Sequence, residues 1–430
     1  MGPVAEARQP AMNNEPGKGI QRTMRLLATS TPAKRNHVRI LFYGQSITEQ
    51  SWSKQVADNI RKRFPNADLE IENRAIGGFA SQLLRRTAEY DLYPFNPDLM
   101  IFHVYGSHID YETIIRNTRE RTTAEILMQT DHVTAWPPAN PSEKDDEGLW
   151  WTELMNHTFL PEIATKHGCA LVDVRTGWLQ HLREHKLEPK ALLKDGVHLN
   201  DAGCDVMAKL VSDYLVYRPD LNEQNKRVSD VSLKNLKWVN NEAKVAFTGT
   251  GVDLLPDAKG FSGSLNFLID GKPVSAFPEA YAFTRPDPAP WSPHFIRRID
   301  HASPLLAEDW TLTVNEVSNE GKSFRYSVKG SVTGPDGEGS SEGPFRSTSG
   351  RLLIDPADFF RNGELKAGYT VRWRAYLMGT DRLNSIAPFD PSLENPIRIV
   401  HGLKAGPHTL TIHRFGPISL SRLRIFSPQN

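Results

Sequence analysis

Apolar positions follow two different rhythms along this chain. From residue 37 to about 217, short apolar runs alternate with segments in which apolar residues recur every three or four positions. That is the signature of doubly buried strands alternating with amphipathic helices. Ile40 to Tyr43 forms an apolar run that stops at Gly44, and Trp52, Val56, Ile60 and Phe64 follow at helical spacing. After the turn at Pro65-Asn66-Ala67, Leu69 to Ile71 reads as a second strand. Asp98 to Tyr105, Ala124 to Met128 and Ala170 to Val174 read as further strands. Tyr111 to Thr122, Thr152 to His167, Trp178 to Glu184 and Asn200 to Leu215 read as helices, and Ile20 to Ala28 as a short leading helix. Repeated strand and helix with right-handed crossovers gives a parallel sheet covered on both faces, so residues 20–217 are predicted to form a flavodoxin-like three-layer α/β/α domain.

Beyond Tyr217 the helical period disappears. Residues 218–228 form a charged connector, carrying Arg218, Asp220, Glu223, Lys226 and Arg227. Short, mostly alternating strands follow at Lys234–Phe247, Leu265–Ile269, Thr311–Val314, Phe324–Val332, Thr370–Ala375 and His408–Ile412, with turn chemistry at Gly249-Thr250-Gly251 and Asp270-Gly271-Lys272. Residues 229–430 are therefore predicted to be an all-β sandwich with an insertion around 285–395, where Pro286, Pro288, Pro290 and Pro293 cluster and Gly334 to Gly350 is rich in Gly and Ser. The aromatics Trp291, Phe295, Trp310, Trp373 and Tyr376 read as core of that region, with sugar stacking as the competing reading. Residues 1–19 mix Pro, Asn, Glu and Gly without an apolar segment, so they are expected to be disordered and to contain no signal peptide. The compartment is left open: secreted or periplasmic if a leader was removed, cytoplasmic otherwise.

Composition narrows the partners. The 430 residues carry 51 basic and 51 acidic side chains, a formal net charge of zero, so no global field attracts nucleic acid or an anionic membrane. No apolar run reaches bilayer length. Cys169 and Cys204 make neither a disulfide framework nor a metal-spaced cluster, and they read as buried thiols, with one bridge between them left open. An uncharged or weakly charged substrate is the simpler expectation. Oligomeric state is not readable.

Candidate chemistry sits where strands end. Ser46 follows the first strand and a glycine turn, which puts it in the crevice beyond the strand carboxyl ends. A serine hydroxyl needs a base to accept its proton and a third group to orient that base. Asp195-Gly196-Val197-His198, on a loop before the closing helix, supplies an acid and an imidazole three residues apart. Asn73-Arg74-Ala75-Ile76-Gly77-Gly78 offers paired glycines for close backbone approach to a ligand. Gln129-Thr130-Asp131-His132 ends another strand, making Asp131 and His132 candidates for substrate contact or a satisfied strand-end pair. Trp150-Trp151 reads as an anchor for the helix that follows, with sugar contact as the alternative.

Four of these blocks, in order, resemble those of SGNH hydrolases in the GDSL esterase/lipase superfamily. Gly44-Gln45-Ser46 stands where the family has Gly-Asp-Ser, and Gly-Gln-Ser is similar to some carbohydrate O-acetylesterase relatives. Asn73 to Gly78 resembles the second block and Asp195 to His198 the last. In the third block Gly106-Ser107-His108-Ile109 replaces Gly-x-Asn-Asp. The resemblance covers roughly residues 37–217 and implies Ser46 as nucleophile, His198 as base and Asp195 as its orienting acid. Gly78 and the Ser46 N–H are the implied oxyanion donors, with His108 expected to replace the missing asparagine. Gln45, Gly106, Asp131 and His132 are the expected substrate contacts, and no metal or cofactor is called for. The second half resembles jelly-roll modules attached to carbohydrate-active enzymes. An O-acetyl esterase acting on carbohydrate is the leading expectation. The alternatives are a glycosidase using carboxylates among Glu49, Asp110 and Asp131, and a scaffold that binds glycans without turnover.

Overall fold

The computed structural model describes residues 15–137, 147–221, 226–286, 295–318, 323–359 and 365–428. Helix α1 (Gln21–Ala28) precedes strand β1 (His37–Gly44), the single-turn helix α2 (Ser46–Glu49) and helix α3 (Ser51–Arg63). Strand β2 (Asp68–Asn73), helix α4 (Ser81–Asp91), strand β3 (Leu99–His103), helix α5 (His108–Arg121) and strand β4 (Glu125–Gln129) continue the alternation. Helix α6 (Glu147–Leu154) runs through a π-helical turn at Met155–Phe159 into helix α7 (Leu160–His167). Strand β5 (Ala170–Val172), helix α8 (Val174–Glu184) and helix α9 (Asp201–Tyr214) complete this region.

The strands form one parallel sheet in the order β2-β1-β3-β4-β5. This is the flavodoxin-like order, in which the chain reverses its direction of sheet growth between β1 and β3, and a ligand crevice opens beyond the strand carboxyl ends at that point. The sheet is apolar because helices cover it. Val38, Ile40 and Phe42 of β1 share a buried cluster with Trp52, Val56 and Ile60 of α3 and with Val211 and Tyr214 of α9. Trp52 packs edge-on against Phe42 and donates its Nε1–H to the Ile47 carbonyl at 2.6 Å, tying α3 to the turn that carries Ser46. Helix α1 is held by a buried acid: the Glu125 carboxylate accepts the N–H groups of Arg22 at 3.0 Å and Thr23 at 2.8 Å, and burial pushes its pKa up.

By density of contacts the chain divides into two units, one of Met1–Ser81, Pro97–Arg116 and Ala124–Lys226, the other of Gln82–Asn96, Asn117–Thr123 and Arg227–Asn430. In the second unit, two antiparallel sheets face each other. One contains the strands at Glu242–Gly249, Ser264–Ile269 and Gly406–Phe415, the other those at Gly251–Leu255, Ile397–Val400 and Arg422–Phe426. Val245, Phe267 and Ile412 from the first meet Val252, Leu254, Ile399 and Ile425 from the second in one buried cluster, which makes a β-sandwich. The region expected as an insertion builds its own core. Phe295, Trp310, Tyr326 and Trp373 are buried there, with Trp310 and Trp373 stacked at 6.2 Å. Phe295, Trp310 and Trp373 are thus core aromatics; Trp291 lies outside the described residues.

Several expectations change. Residues 15–19 form a turn in which Gln21 Nε2 donates to the Gly17 carbonyl at 2.6 Å; residues 1–14 lie outside the described residues. Helix α4 was not predicted, although Leu84, Ala88 and Tyr90 bury one of its faces. The strand expected at Lys234–Phe247 begins only at Glu242, because Asn240 and Asn241 both adopt positive φ, at 49° and 64°, and turn the chain through the Val239–Glu242 bridge. The Gly/Ser-rich stretch forms a strand at Gly334–Ser340. Cys169 and Cys204 are free thiols, Cys204 buried and Cys169 half-buried.

Candidate active site

The β1 strand ends at a glycine for a steric reason. A methyl at Gly44 would meet the Thr48 side chain and, at 2.5 Å, the carbonyl oxygen of His103 on neighbouring β3. The chain then turns and Ser46 opens α2. The second block is laced onto this turn by several bonds. Arg74 N–H donates to the Phe42 carbonyl and Ile76 N–H to the Gly44 carbonyl, each at 3.0 Å. The Asn73 amide donates to the Thr48 carbonyl at 2.7 Å and to Ser53 Oγ at 2.9 Å. Gly77 N–H donates to Glu49 Oε1 at 2.8 Å. Gly78 lies at φ 77°, where a side chain is strained even though nothing occupies the space a Cβ would fill. Ser81 joins the second block to the third, its N–H donating to the Tyr105 carbonyl at 3.0 Å and its hydroxyl to the Ser107 carbonyl at 2.8 Å.

Ser46, His198 and Asp195 meet. His198 Nε2 lies 2.9 Å from Ser46 Oγ, and His198 Nδ1 lies 2.9 Å from Asp195 Oδ2. The other Asp195 oxygen accepts the backbone N–H groups of Val197 at 2.8 Å and His198 at 2.7 Å. These backbone bonds, followed by the imidazole, hold the exposed Asp195 carboxyl down at about 2. With Nδ1–H donating to a carboxylate, Nε2 is the imidazole atom free to accept the serine proton. The loop is clamped on both sides of the histidine. Gln50 bonds both backbone groups of Leu199, and His132 Nε2 lies 2.8 Å from the Val197 carbonyl. The Gly78 and Ser46 N–H groups are engaged by no other group among the described residues.

The expected substrate contacts have partners within the protein. Gln45 is buried, and its Oε1 lies 3.1 Å from Ser46 Oγ, so the serine hydroxyl faces two acceptors with one proton. Gly106 lies at φ 120°, a conformation that favours glycine. Asp131 Oδ1 lies 2.6 Å from His103 Nε2, while Asn156 Nδ2 donates to Asp131 Oδ2 at 2.8 Å and Asn156 Oδ1 accepts the Asp131 N–H at 2.7 Å. Burial alone would raise the Asp131 carboxyl, but His103 and Asn156 hold it at about 2. His132 is buried against Trp178, and burial lowers its pKa. Of the carboxylates weighed for glycosidic cleavage, Asp131 is thus bound by His103 and Asn156, and Glu49 by Gly77.

The His108 ring lies in an aromatic stack. The Ser46 hydroxyl has His198 and Gln45 as partners, whereas the His108 ring stacks on Phe159 at 3.9 Å and 5° and on Trp151 at 4.3 Å and 18°. Its Nε2 is buried without a hydrogen-bond partner, and burial lowers its pKa. The sequence reading also missed Gln50. An amide three residues past the serine turn and before a helix was the only signal available.

Beside Ser46 and His198 a cleft of about 730 Å³ is lined by Glu49, Gln50, Ser51, Lys194, Leu199, Asn200, Asp201 and Cys204. Among the described residues, no group of three or more His, Cys, Asp or Glu side chains is arranged to hold a metal ion. No described helix is long and apolar enough to cross a membrane.

Residues 42–206 match the GDSL-like Lipase/Acylhydrolase family. No curated protein matches the sequence. Among solved structures, the chain is similar to Axe2, an acetylxylan esterase from Geobacillus stearothermophilus, at 18% identity and a TM-score of 0.37, covering 44% of this chain and 98% of that one. It is also similar to a putative GDSL-like lipase from Parabacteroides merdae, at 16% identity and a TM-score of 0.36, covering 42% of this chain and 96% of that one. A third similar structure, the acetyl xylan esterase AlAXEase, has 19% identity and a TM-score of 0.35, covering 40% of this chain and 98% of that one.

Proposed function

We propose that this chain, whose residues 42–206 form a GDSL-like lipase/acylhydrolase domain, is a serine esterase that removes short acyl groups, acetyl first among them, from carbohydrate hydroxyls. One observation carries the reading: Ser46 Oγ, His198 Nε2 and Asp195 Oδ2 are linked by contacts of 2.9 Å each, with the imidazole in the orientation that lets Nε2 accept a proton.

In this mechanism Ser46 Oγ attacks the ester carbonyl carbon as His198 Nε2 takes the hydroxyl proton. Asp195, ionised at any pH above about 2, holds Nδ1–H and stabilises the imidazolium that forms. The N–H groups of Ser46 and Gly78 receive the developing oxyanion. Collapse breaks the bond to the sugar oxygen, which leaves with the proton from His198 Nε2. Water then gives a proton to His198 and its oxygen to the acyl carbon, releasing the carboxylic acid and restoring the Ser46 hydroxyl. The cleft beside Ser46 favours a polyol and a short acyl group over a lipid. Its lining carries two carboxylates (Glu49 and Asp201), the Lys194 ammonium, the Gln50 and Asn200 amides and the Ser51 hydroxyl.

A serine-directed phosphonate tests the reading. The folded protein is expected to gain the phosphonyl mass on Ser46 and to lose turnover of 4-nitrophenyl acetate and of acetylated oligosaccharides together. An unlabelled Ser46, or a Ser46→Ala variant that keeps its turnover, refutes the acyl-enzyme.

A further inference from the structure

In the first unit, the exposed large apolar side chains among the described residues are Tyr105, Ile109, Trp136, Trp151 and Val197. All five follow the carboxyl end of a parallel strand. Tyr105 and Ile109 come after β3, Trp136 and Trp151 lie between β4 and β5, and Val197 sits between Asp195 and His198. Scattered exposed apolar residues need no explanation, but four of these lie in the connections that follow β3 and β4, and the crevice of such a sheet opens beyond the strand carboxyl ends.

Two of them are held in fixed orientations. Trp136 Nε1 donates to Glu188 Oε2 at 2.8 Å, on the chain that leads into the Asp195–His198 loop. Trp151, 41% exposed, is the outer member of a three-ring stack. Two rings nearly parallel to His108 and within 4.3 Å of it must lie on opposite faces, so the order is Trp151, His108, Phe159. His108 opens α5, five residues beyond His103, and His103 pairs with Gly44 two residues before Ser46. The stack therefore rises beside the topological switch point that carries the nucleophile. An imidazole enclosed between two aromatic faces supports the outer indole.

Resting on the esterase reading above, we infer that Trp151, supported by His108 and Phe159, and Trp136 are aromatic platforms for the pyranose rings of an acylated oligosaccharide held across Ser46. A pyranose ring has an apolar C–H face and a polar rim. It requires a flat, rigid apolar surface, which the indole of Trp151 stacked on His108 and the indole of Trp136 anchored on Glu188 supply. An acyl chain or an aromatic acyl group seated on Trp151 is the competing occupant.

The test compares kcat/KM on a panel of chemically acetylated oligosaccharides of two to six residues with kcat/KM on 4-nitrophenyl acetate and 4-nitrophenyl hexanoate. For the best-turned-over oligosaccharide, the ratio to 4-nitrophenyl acetate is expected to fall roughly threefold to tenfold in Trp151→Ala, mostly through KM, and by a similar factor in Trp136→Leu. His108→Leu is expected to lower the same ratio and His108→Phe to restore it, because only the supporting ring matters. An oxyanion donor at His108 would instead cut kcat on both substrates, with no rescue by Phe. An unmoved ratio in Trp151→Ala, or a selective loss on the hexanoate, overturns the inference while a labelled Ser46 leaves the esterase reading standing. If no acetylated oligosaccharide is turned over by an enzyme that hydrolyses 4-nitrophenyl acetate, the carbohydrate acceptor falls and the platform with it.

Discussion

Gln50 and Leu199, 149 residues apart, exchange two hydrogen bonds: Gln50 Nε2 donates to the Leu199 carbonyl at 2.8 Å, and the Leu199 N–H donates to Gln50 Oε1 at 3.0 Å. One side-chain amide thus does for this loop what a neighbouring strand would do. It satisfies both backbone groups of the residue after His198 and ties them to the start of α3, five residues from Ser46 along a path through Trp52 and Ile47. Ser46 and His198 come from distant parts of the chain, and this amide links their positions through two hydrogen bonds.

Gln50→Ala is therefore expected to lower kcat by about tenfold while KM for a small ester changes little, since misplacing a base costs rate more than binding. Two partly buried backbone groups lose their partners, so stability should fall by about 1 to 2 kcal/mol. Gln50→Glu keeps the acceptor but loses the donor and should fall between the two. Steady-state kinetics on 4-nitrophenyl acetate beside a urea melt checks this, and a Gln50→Ala variant with wild-type kcat would remove the positioning role.

Asp195 separates two duties on its two oxygens. Oδ2 faces the imidazole, and Oδ1 takes the backbone N–H groups of Val197 and His198. Asp195→Asn keeps an acceptor for the loop but loses the charge facing the imidazolium, so kcat is expected to fall roughly a hundredfold with the fold intact. Asp195→Ala loses both and should show the larger fall, with added KM and thermal effects from a loosened loop. Because the carboxyl is held at about 2, it stays ionised well below neutral pH. No protonation of Asp195 should then show in kcat/KM between about pH 3.5 and 5. A second protonation step between pH 3.5 and 5 that abolishes turnover would contradict this.

Gly44 is closed to any side chain. A methyl there would press on the Thr48 hydroxyl and come within 2.5 Å of the His103 carbonyl, which is backbone in a paired strand and cannot retreat. Gly44→Ala is expected to cost about 2 kcal/mol or more by overpacking and to displace Ser46 from His198. Thr48→Ala in the same chain should not rescue it, because the carbonyl remains. Full rescue in the double variant would show that only the hydroxyl had been in the way.

What was legible in the chain was mainly what is local. The apolar runs and helical spacing gave the sheet and most of its helices, and Asp195 with His198 could be read as a pair because they stand three residues apart on one loop. Gln50 could not be read, since its role exists only through a partner at Leu199. The ring stack around His108 could not be read for a related reason. Position in a block pointed to an oxyanion donor, but Phe159 and Trp151 cover its faces, and Phe159 ends a π-helical turn that breaks the 3.6-residue phase on which a helix reading depends. Asp131 and His132 looked like substrate contacts because they end a strand. The cross-links to His103, Asn156 and the Val197 carbonyl are tertiary and leave no trace in spacing.

Burial of His301 is expected to give the second unit a pH-dependent stability. Its ring stacks on Phe283 at 3.6 Å and 10°, and Trp373 Nε1–H donates to its Nε2 at 3.1 Å, so the neutral tautomer with Nε2 as acceptor is the one that fits. Burial pushes its pKa down to about 3. In the unfolded chain an imidazole titrates near 6.5, so between about pH 6.5 and pH 3 the unfolded state binds a proton that the folded state refuses. The stabilisation from this group is therefore fully present above about pH 6.5 and is lost as the pH falls through that window. From pH 7 to pH 5 the loss should be about 1 to 2 kcal/mol. His301→Gln keeps an acceptor for Trp373 without a proton to gain, so it should be less stable than the parent at pH 7, where packing against Phe283 is poorer, yet should lose less on acidification. Urea midpoints followed by tryptophan fluorescence at pH 7, 6 and 5 measure both slopes. His108 and His132 titrate in both proteins and cancel in the difference, and parallel slopes for parent and His301→Gln would show that His301 protonates without unfolding its surroundings.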